Sequence, residues 1–183
     1  MEPAETIARL SPVPAAVAAY PKGRLMDTDT TKFWDMIEDL RVAMLTTETA
    51  SGLESRPMSA YVDKDAGDIW FITRIDSDKT QEIKDDAHVN LAFAHSSSNK
   101  YVSVTGTARI VRDPAKQKEL WSPFAEAWMP EGPEAPTTGL IHVTPAHATI
   151  WDSPGKLAML VKVAKANITQ TPPKDDNVTH VTL

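Results

Sequence analysis

Arg56 and Pro57 stand side by side in Ser55-Arg56-Pro57-Met58, within a segment that otherwise alternates as a strand does. Proline has no N–H to give a ladder, so strand interiors reject it. Pro57 marks an edge, a bulge, or a place where something other than a strand lies alongside. The neighbouring arginine makes an anion one candidate for that something. An edge-strand proline beside a surface arginine fits the same residues. Further on, Ile69 to Lys79 reads as a strand ending in Thr73, a turn, and a helix opening at Ser77 with Lys79 two residues later. Free N–H groups at a helix start attract anions, and a hydroxyl and an ammonium add two more donors. This is the layout a phosphate needs. A serine N-cap beside a solvated lysine is spelled identically, and Asp76 and Asp78 oppose an anion unless they point away. Trp121, Trp128 and Trp151 add aromatic surface in the second half. Aromatics usually anchor cores or interfaces. Trp151, just ahead of Asp152-Ser153-Pro154-Gly155, suits a barrel mouth, where it could stack on a ring.

Other chemistries find little support. The chain has no cysteine, which removes thiolate nucleophiles, disulfides and Cys-ligated metals. His88, His95, His142, His147 and His180 form no close metal-ligand pair, so no metal is expected. There is no Gly-rich phosphate loop and no Gly-x-Ser-x-Gly elbow. The net charge of −6 repels phosphate backbones and anionic lipid, so neither nucleic acid nor membrane is an expected partner. The absence of cysteine, and a first stretch broken by Pro12 and Pro14 without a basic leader, fit the cytoplasm.

Positioning these residues requires a scaffold, and the 183 residues suffice for one domain with a real core. Residues 1–28 read as an extension with at most a short helix around Ala15 to Tyr20. A helix is expected after Asp29 or Thr30, with Phe33, Ile37 and Leu40 at helical spacing, ending near Arg41. Val42–Thr46, Glu54–Val62 and Ile69–Thr73 read as strands. Gly67 turns the second of these into the third as a hairpin. A helix from Ser77 to Asp85 or Asp86 follows, then strands Val89–Ala94 and Tyr101–Val111. Asp113-Pro114 opens a further helix, since proline suits a first helical position. A proline-rich loop spans Met129 to Thr138. Leu140–Val143 and Ala148–Trp151 are expected as two last strands separated by Pro145, before a terminal helix over Leu157–Ile168. The tail, 171–183, reads as irregular, with Val181 and Leu183 as its anchoring side chains. Six or seven short strands with hairpin turns favour a closed or nearly closed barrel, because closure removes exposed edges.

The segments FWDMIEDLRVAMLTT, SRPMSA, IWFITRIDSDKTQEI, HVNLAFAHSSSNKYVSVTGTARIV, ELWSP and TIWDSPG together resemble the pyridoxamine 5′-phosphate oxidase-like superfamily. Within it they resemble the bacterial general stress protein branch, over about Thr30 to Ile168. The resemblance implies a mainly β fold with flanking helices, an FMN-binding split β-barrel over residues 29–170. It implies a homodimer with flavin at the subunit interface. By the same resemblance Arg56, Ser77 and Lys79 hold the FMN phosphate, and Thr73 and the backbone of Ile72 flank the flavin or ribityl chain. Pro57, Met58 and Ser59 lie along the isoalloxazine ring. Tyr101 falls where related oxidases place a glutamine touching the cofactor. Trp151 matches a tryptophan that approaches the flavin from the partner chain.

The chain also departs from the oxidases. They end in a basic Arg-x-His-type segment that grips pyridoxamine, whereas this region reads Trp151-Asp152-Ser153-Pro154-Gly155-Lys156-Leu157, so vitamin B6 oxidation is not expected. Arg74 and Ile75 fill a turn where smaller or polar residues are common. The expectation is an FMN-binding flavoprotein of the general stress type, either an oxidoreductase of unassigned substrate or a flavin-binding stress protein without turnover. Haem or a deazaflavin in the same fold are the alternatives, and haem would require His88, His95 or His142 to face the cleft.

Overall fold

A computed structural model describes residues 28–152 and 177–183. The helices expected around Ala15–Tyr20 and over Leu157–Ile168 lie outside the described residues. Helix α1 (Thr28–Leu40) buries Phe33, Trp34, Met36 and Ile37. Their spacing puts one apolar stripe on the core. Arg41 ends the helix in the left-handed region (φ 61°) and turns the chain straight into β1 (Val42–Thr49). β1 pairs with β2 (Gly52–Ser59) as a hairpin. β3 (Tyr61–Asp63) and β4 (Asp68–Arg74) form the hairpin expected around Gly67, whose φ of 75° is unstrained only without a Cβ. Then come α2 (Asp78–Asp85), β5 (His88–His95), β6 (Lys100–Val111), α3 (Pro114–Leu120), α4 (Pro123–Trp128), β7 (Thr138–Asp152) and β8 (Val178–Thr182).

All the ladders are antiparallel and belong to one eight-stranded sheet, ordered β2-β1-β5-β6-β7-β4-β3, with β8 added on β7. The sheet curls around a core that includes Leu45, Phe71, Leu91, Phe93, Val102, Val104, Ile141 and Ile150. Phe33 and Ile37 of α1 belong to the same core. The edges β2 and β3 are consecutive in the chain. At Ala60 the backbone leaves β1 and joins β4, so the edges are joined covalently, and β2 lies beside β4 without a ladder. This is a split β-barrel.

Four local features differ from the sequence reading. The segment Glu54–Val62 is two strands, because the chain changes partner at Ala60, whose N–H donates to Arg41 O (2.7 Å). β7 runs unbroken through Pro145. The proline falls opposite Gly106 at a register shift, where no ladder bond is asked of it. A Cβ on Gly106 would sit 2.4 Å from Thr144 O, so the close approach requires glycine. The described part of the tail, 177–183, is not irregular. Val178–Thr182 pairs along the later half of β7, burying Val181, while β4 takes the earlier half. Finally, α4 is not anticipated by the sequence reading, although Ser122-Pro123 repeats the signal of Asp113-Pro114. Ser122 Oγ accepts from Ala125 N at 3.2 Å.

Candidate functional site

The split opens a cleft of about 460 Å³, a size typical of small-molecule sites. β1 and β2 line it with Val42, Pro57, Met58 and Ser59, and β3 and β4 with Tyr61 and Ile72. Phe124, Ala125 and Trp128 of α4, and Met129 just after it, complete the lining. Among the described residues β2 pairs only with β1, and β4 beyond Trp70 pairs only with β7. The second edge of each strand therefore carries backbone polar groups without a strand partner among the described residues, and such groups seek one. Pro57 stands on an edge strand, opposite Met44. That is where a residue without an N–H is tolerated.

Next to the cleft in sequence lies a cationic group. Arg56 pairs in register with Leu45, so its side chain lies on the inner face with Leu45 and Thr47. One guanidinium nitrogen donates to Thr47 Oγ1 (2.8 Å) and Glu82 Oε2 (2.9 Å), and another lies 3.0 Å from Glu54 Oε1. Thr47 in turn donates to Glu82 at 2.6 Å. Arg56 thus joins β2 to α2 across the barrel end. Lys79 differs, making no ion pair among the described residues. It is partly buried, and its pKa is lowered from 10.5, first by burial and next by the positive charge of Arg56. Glu82, Asp78 and Asp76 act in the opposite direction but do not offset these two effects, and a desolvated ammonium beside a second cation is a condition that an anion would relieve.

Ser77 is the N-cap residue of α2, but its hydroxyl donates to Arg74 O (2.8 Å) and makes no cap bond. The first turn is instead tightened by Thr80, whose hydroxyl donates to Ile75 O and Ser77 O (2.8 and 2.6 Å). Arg74 holds Asp76 at 2.9 and 3.1 Å, although the charges of both Asp76 and Asp78 still act on Lys79. That contact also keeps the Asp76 carboxyl below its ordinary range.

The ten residues singled out in sequence therefore fall into three places. Pro57, Met58, Ser59 and Ile72 line the cleft. Arg56, Thr73, Ser77 and Lys79 follow or precede those residues on β2, β4 and α2, with Thr73 buried on the inner face. Tyr101 and Trp151 are cross-strand partners on β6 and β7, three and four strands from β2 in the sheet order. They do not line this chain's cleft.

Residues 28–174 match the family described as pyridoxamine 5′-phosphate oxidase like. The chain belongs to the pyridoxamine 5′-phosphate oxidase-like family. Its structural relatives include a protein named general stress protein 26 from Jannaschia sp. CCS1, with 31% identity, a TM-score of 0.67, and 85% of this chain and 98% of that chain covered. A general stress FMN/FAD binding protein from Xanthomonas citri shares 30% identity at a TM-score of 0.60, covering 68% of this chain and 89% of that one. Protein bli-3 of Neurospora crassa is 34% identical over 110 residues, 55% of this chain and 53% of that protein. This chain thus matches about half the length of bli-3.

As a family member the chain shows which site residues the sequence reading misses. Val42, Tyr61 and Phe124 carry no motif, and only the curl of the sheet brings them to one cleft with Trp128, which the sequence marks as an aromatic without placing it. Thr47 and Glu82 escape notice because their partner Arg56 lies on another element. A second groove of about 540 Å³ lies along α1 near Lys100 and Asp152. Its charges are of both signs, Lys32 and Asp152 are already paired at 2.8 Å, and it holds none of the predicted residues.

Proposed function

We propose that this chain is an FMN-binding flavoprotein of the general stress type, with the flavin ring in the cleft of the split and its phosphate at Arg56, Lys79 and the start of α2. The observation that carries this reading is Lys79, a partly buried ammonium without an ion-pair partner among the described residues, beside an apolar cleft with open strand edges. The residue types fit the group: two cations for phosphate, backbone without a strand partner among the described residues for the polar ring edge, and Pro57, Met58 and Ile72 for the ring face. The unit 29–170 carries the site. Bound FMN would supply hydride or single-electron chemistry. The chain supplies binding and exclusion of water. Among the described cleft residues only Ser59, Tyr61 and Trp128 carry a side-chain O–H or N–H, and none is a carboxylate or histidine. The reaction partner of the flavin is therefore left to that ring.

The test is an absorption titration of the purified protein with FMN, riboflavin, a deazaflavin phosphate and haem. Saturable binding with shifted flavin peaks is the expected result, and no FMN binding at micromolar concentrations would overturn the reading. The histidines that haem would need do not face the cleft. His88 pairs with Asp86 at 2.7 Å, and His95 bonds Ser98 at 2.7 Å. His142 is buried, stacked on Trp70 at 4.1 Å, with Nε2 2.8 Å from Asp68 outside hydrogen-bond alignment. None of the three lines the cleft.

A pH dependence follows from Lys79. Its pKa in the free protein is below 10.5, and a bound phosphate dianion draws it back up. FMN binding therefore takes up protons in the alkaline range, and affinity falls as pH rises through the lowered pKa. Riboflavin, without phosphate, shows no such loss, and Lys79→Met removes it for FMN. The sign for stability is opposite. Folding disfavours the charged form, so the free protein gains stability as pH rises through the lowered value towards 10.5.

The flavin site extends to a second copy. The outer face of the sheet carries Val42, Met44, Tyr101 and Trp151, all substantially exposed, in rows running through Ala92 and Ala94. Val42 also lines the cleft, so the face is continuous with it. An exposed apolar sheet face of this kind marks an interaction surface. Two copies meeting on it bring the partner's Tyr101 and Trp151 within range of a cleft they cannot reach in their own chain. Tyr101→Glu with Trp151→Glu should convert a dimer to a monomer in sedimentation and weaken flavin binding. A variant that remains dimeric would remove the shared-site arrangement.

A further inference from the structure

Phe124 and Trp128 are large aromatic side chains left mostly in the open, 61% and 75% exposed, and both line the cleft. Their spacing on α4 puts them on one helical face, with ring centroids 6.3 Å apart. The adjoining stripe of the helix is anchored. Ala125 and Met129 are buried, Ser122 caps the start, and Tyr61 lies 3.4 Å from the Ser122 hydroxyl. The following loop is fixed in turn by Gln117, fully buried, whose amide donates to Pro133 O and Thr138 O. An element secured in this way holds its exposed rings in place, and pre-positioned aromatic faces are the cheapest surface for stacking a planar ligand.

We propose that Phe124 and Trp128 form the ring-recognising wall of the cleft and set its selectivity for a flat aromatic ligand. This inference rests on the flavin reading and assigns the isoalloxazine ring, not the phosphate, to α4. Ring recognition and phosphate recognition are then separable. Phe124→Leu with Trp128→Leu should lower affinity for FMN and riboflavin by the same factor, roughly five- to hundredfold per ring, leaving the FMN-to-riboflavin ratio unchanged. Trp128→Phe, which keeps a ring, should stay near wild type. Both positions are exposed, so the melting temperature of the free protein should hold.

A second measurement does not depend on the double variant. In a Trp151→Phe background, which removes the other exposed tryptophan placed near the flavin, FMN binding should quench a red-shifted, solvent-exposed component of tryptophan emission, and adding Trp128→Phe should remove that component. If the wild-type chain binds neither flavin, the flavin reading falls and this inference with it. If the wild type binds flavin but the leucine variant binds it equally tightly, or the quenched component persists when Trp128→Phe is added to Trp151→Phe, the wall assignment alone is overturned.

Discussion

Replacing Arg56 and Lys79 together by alanine lowers FMN affinity by roughly 3–6 kcal/mol, since each charge-assisted bond to phosphate contributes about 1.5–3 kcal/mol. That is a loss of roughly two to four powers of ten. Riboflavin affinity changes far less, because it has no phosphate. The two single variants differ in a second way. Lys79 is desolvated and beside a like charge, so Lys79→Ala costs binding while leaving fold stability level or slightly raised. Arg56 is the cation of a partly buried network, with Thr47 1% exposed and Glu82 beside it at 2.9 Å. Arg56→Ala strands the Glu82 carboxylate and costs about 1–3 kcal/mol of stability besides binding. Urea unfolding beside flavin titration separates the two effects. Unchanged FMN affinity in the double variant would defeat the phosphate assignment.

Phe71→Ala costs about 3–5 kcal/mol of folding stability, the usual loss when a fully buried phenylalanine leaves a cavity. Phe71 is 0% exposed on the inner face of β4, the strand whose outer side supplies Ile72 to the cleft. Such a loss is a large share of the roughly 5–15 kcal/mol that holds a domain together. Leu53→Ala is the matched control. Leu53 is as apolar by type but 78% exposed near the β1–β2 turn, and surface changes stay within about 0.5 kcal/mol. The expected readout is a shifted urea midpoint at unchanged slope for Phe71→Ala and no shift for Leu53→Ala. A loss below about 1 kcal/mol for Phe71→Ala would show that the inner face of β4 is not core.

Local signals recovered much of this protein without tertiary information. The apolar spacing of Phe33 and Ile37 marks α1 and its buried face. Gly67 marks the β3–β4 turn, and Asp113-Pro114 marks α3, where Asp113 accepts from Ala115 N and Lys116 N at 3.0 Å. Pro57 reads as an edge residue because a missing N–H is a property of one residue, and the structure puts it on an edge strand. Together with the order of strands and helices, these signals determine a barrel and the family resemblance.

What only the tertiary structure decided depends on partners distant in the chain. The break at Ala60 is invisible in an alternating segment, because it reflects a change of neighbour from β1 to β4. Pro145 ends a strand by local rules, yet β7 continues because Gly106 across the ladder lets it bulge. Val178–Thr182 becomes a strand because β7 offers it an edge. The cleft gathers Val42, Tyr61, Phe124 and Trp128 from three elements, and Lys79 forms no ion pair with Glu82 while Arg56 holds that carboxylate. Residue type determines which groups are available. Burial, desolvation and pairing depend on the summed proximity of many residues, and those are set only when the sheet curls and stops short of closing.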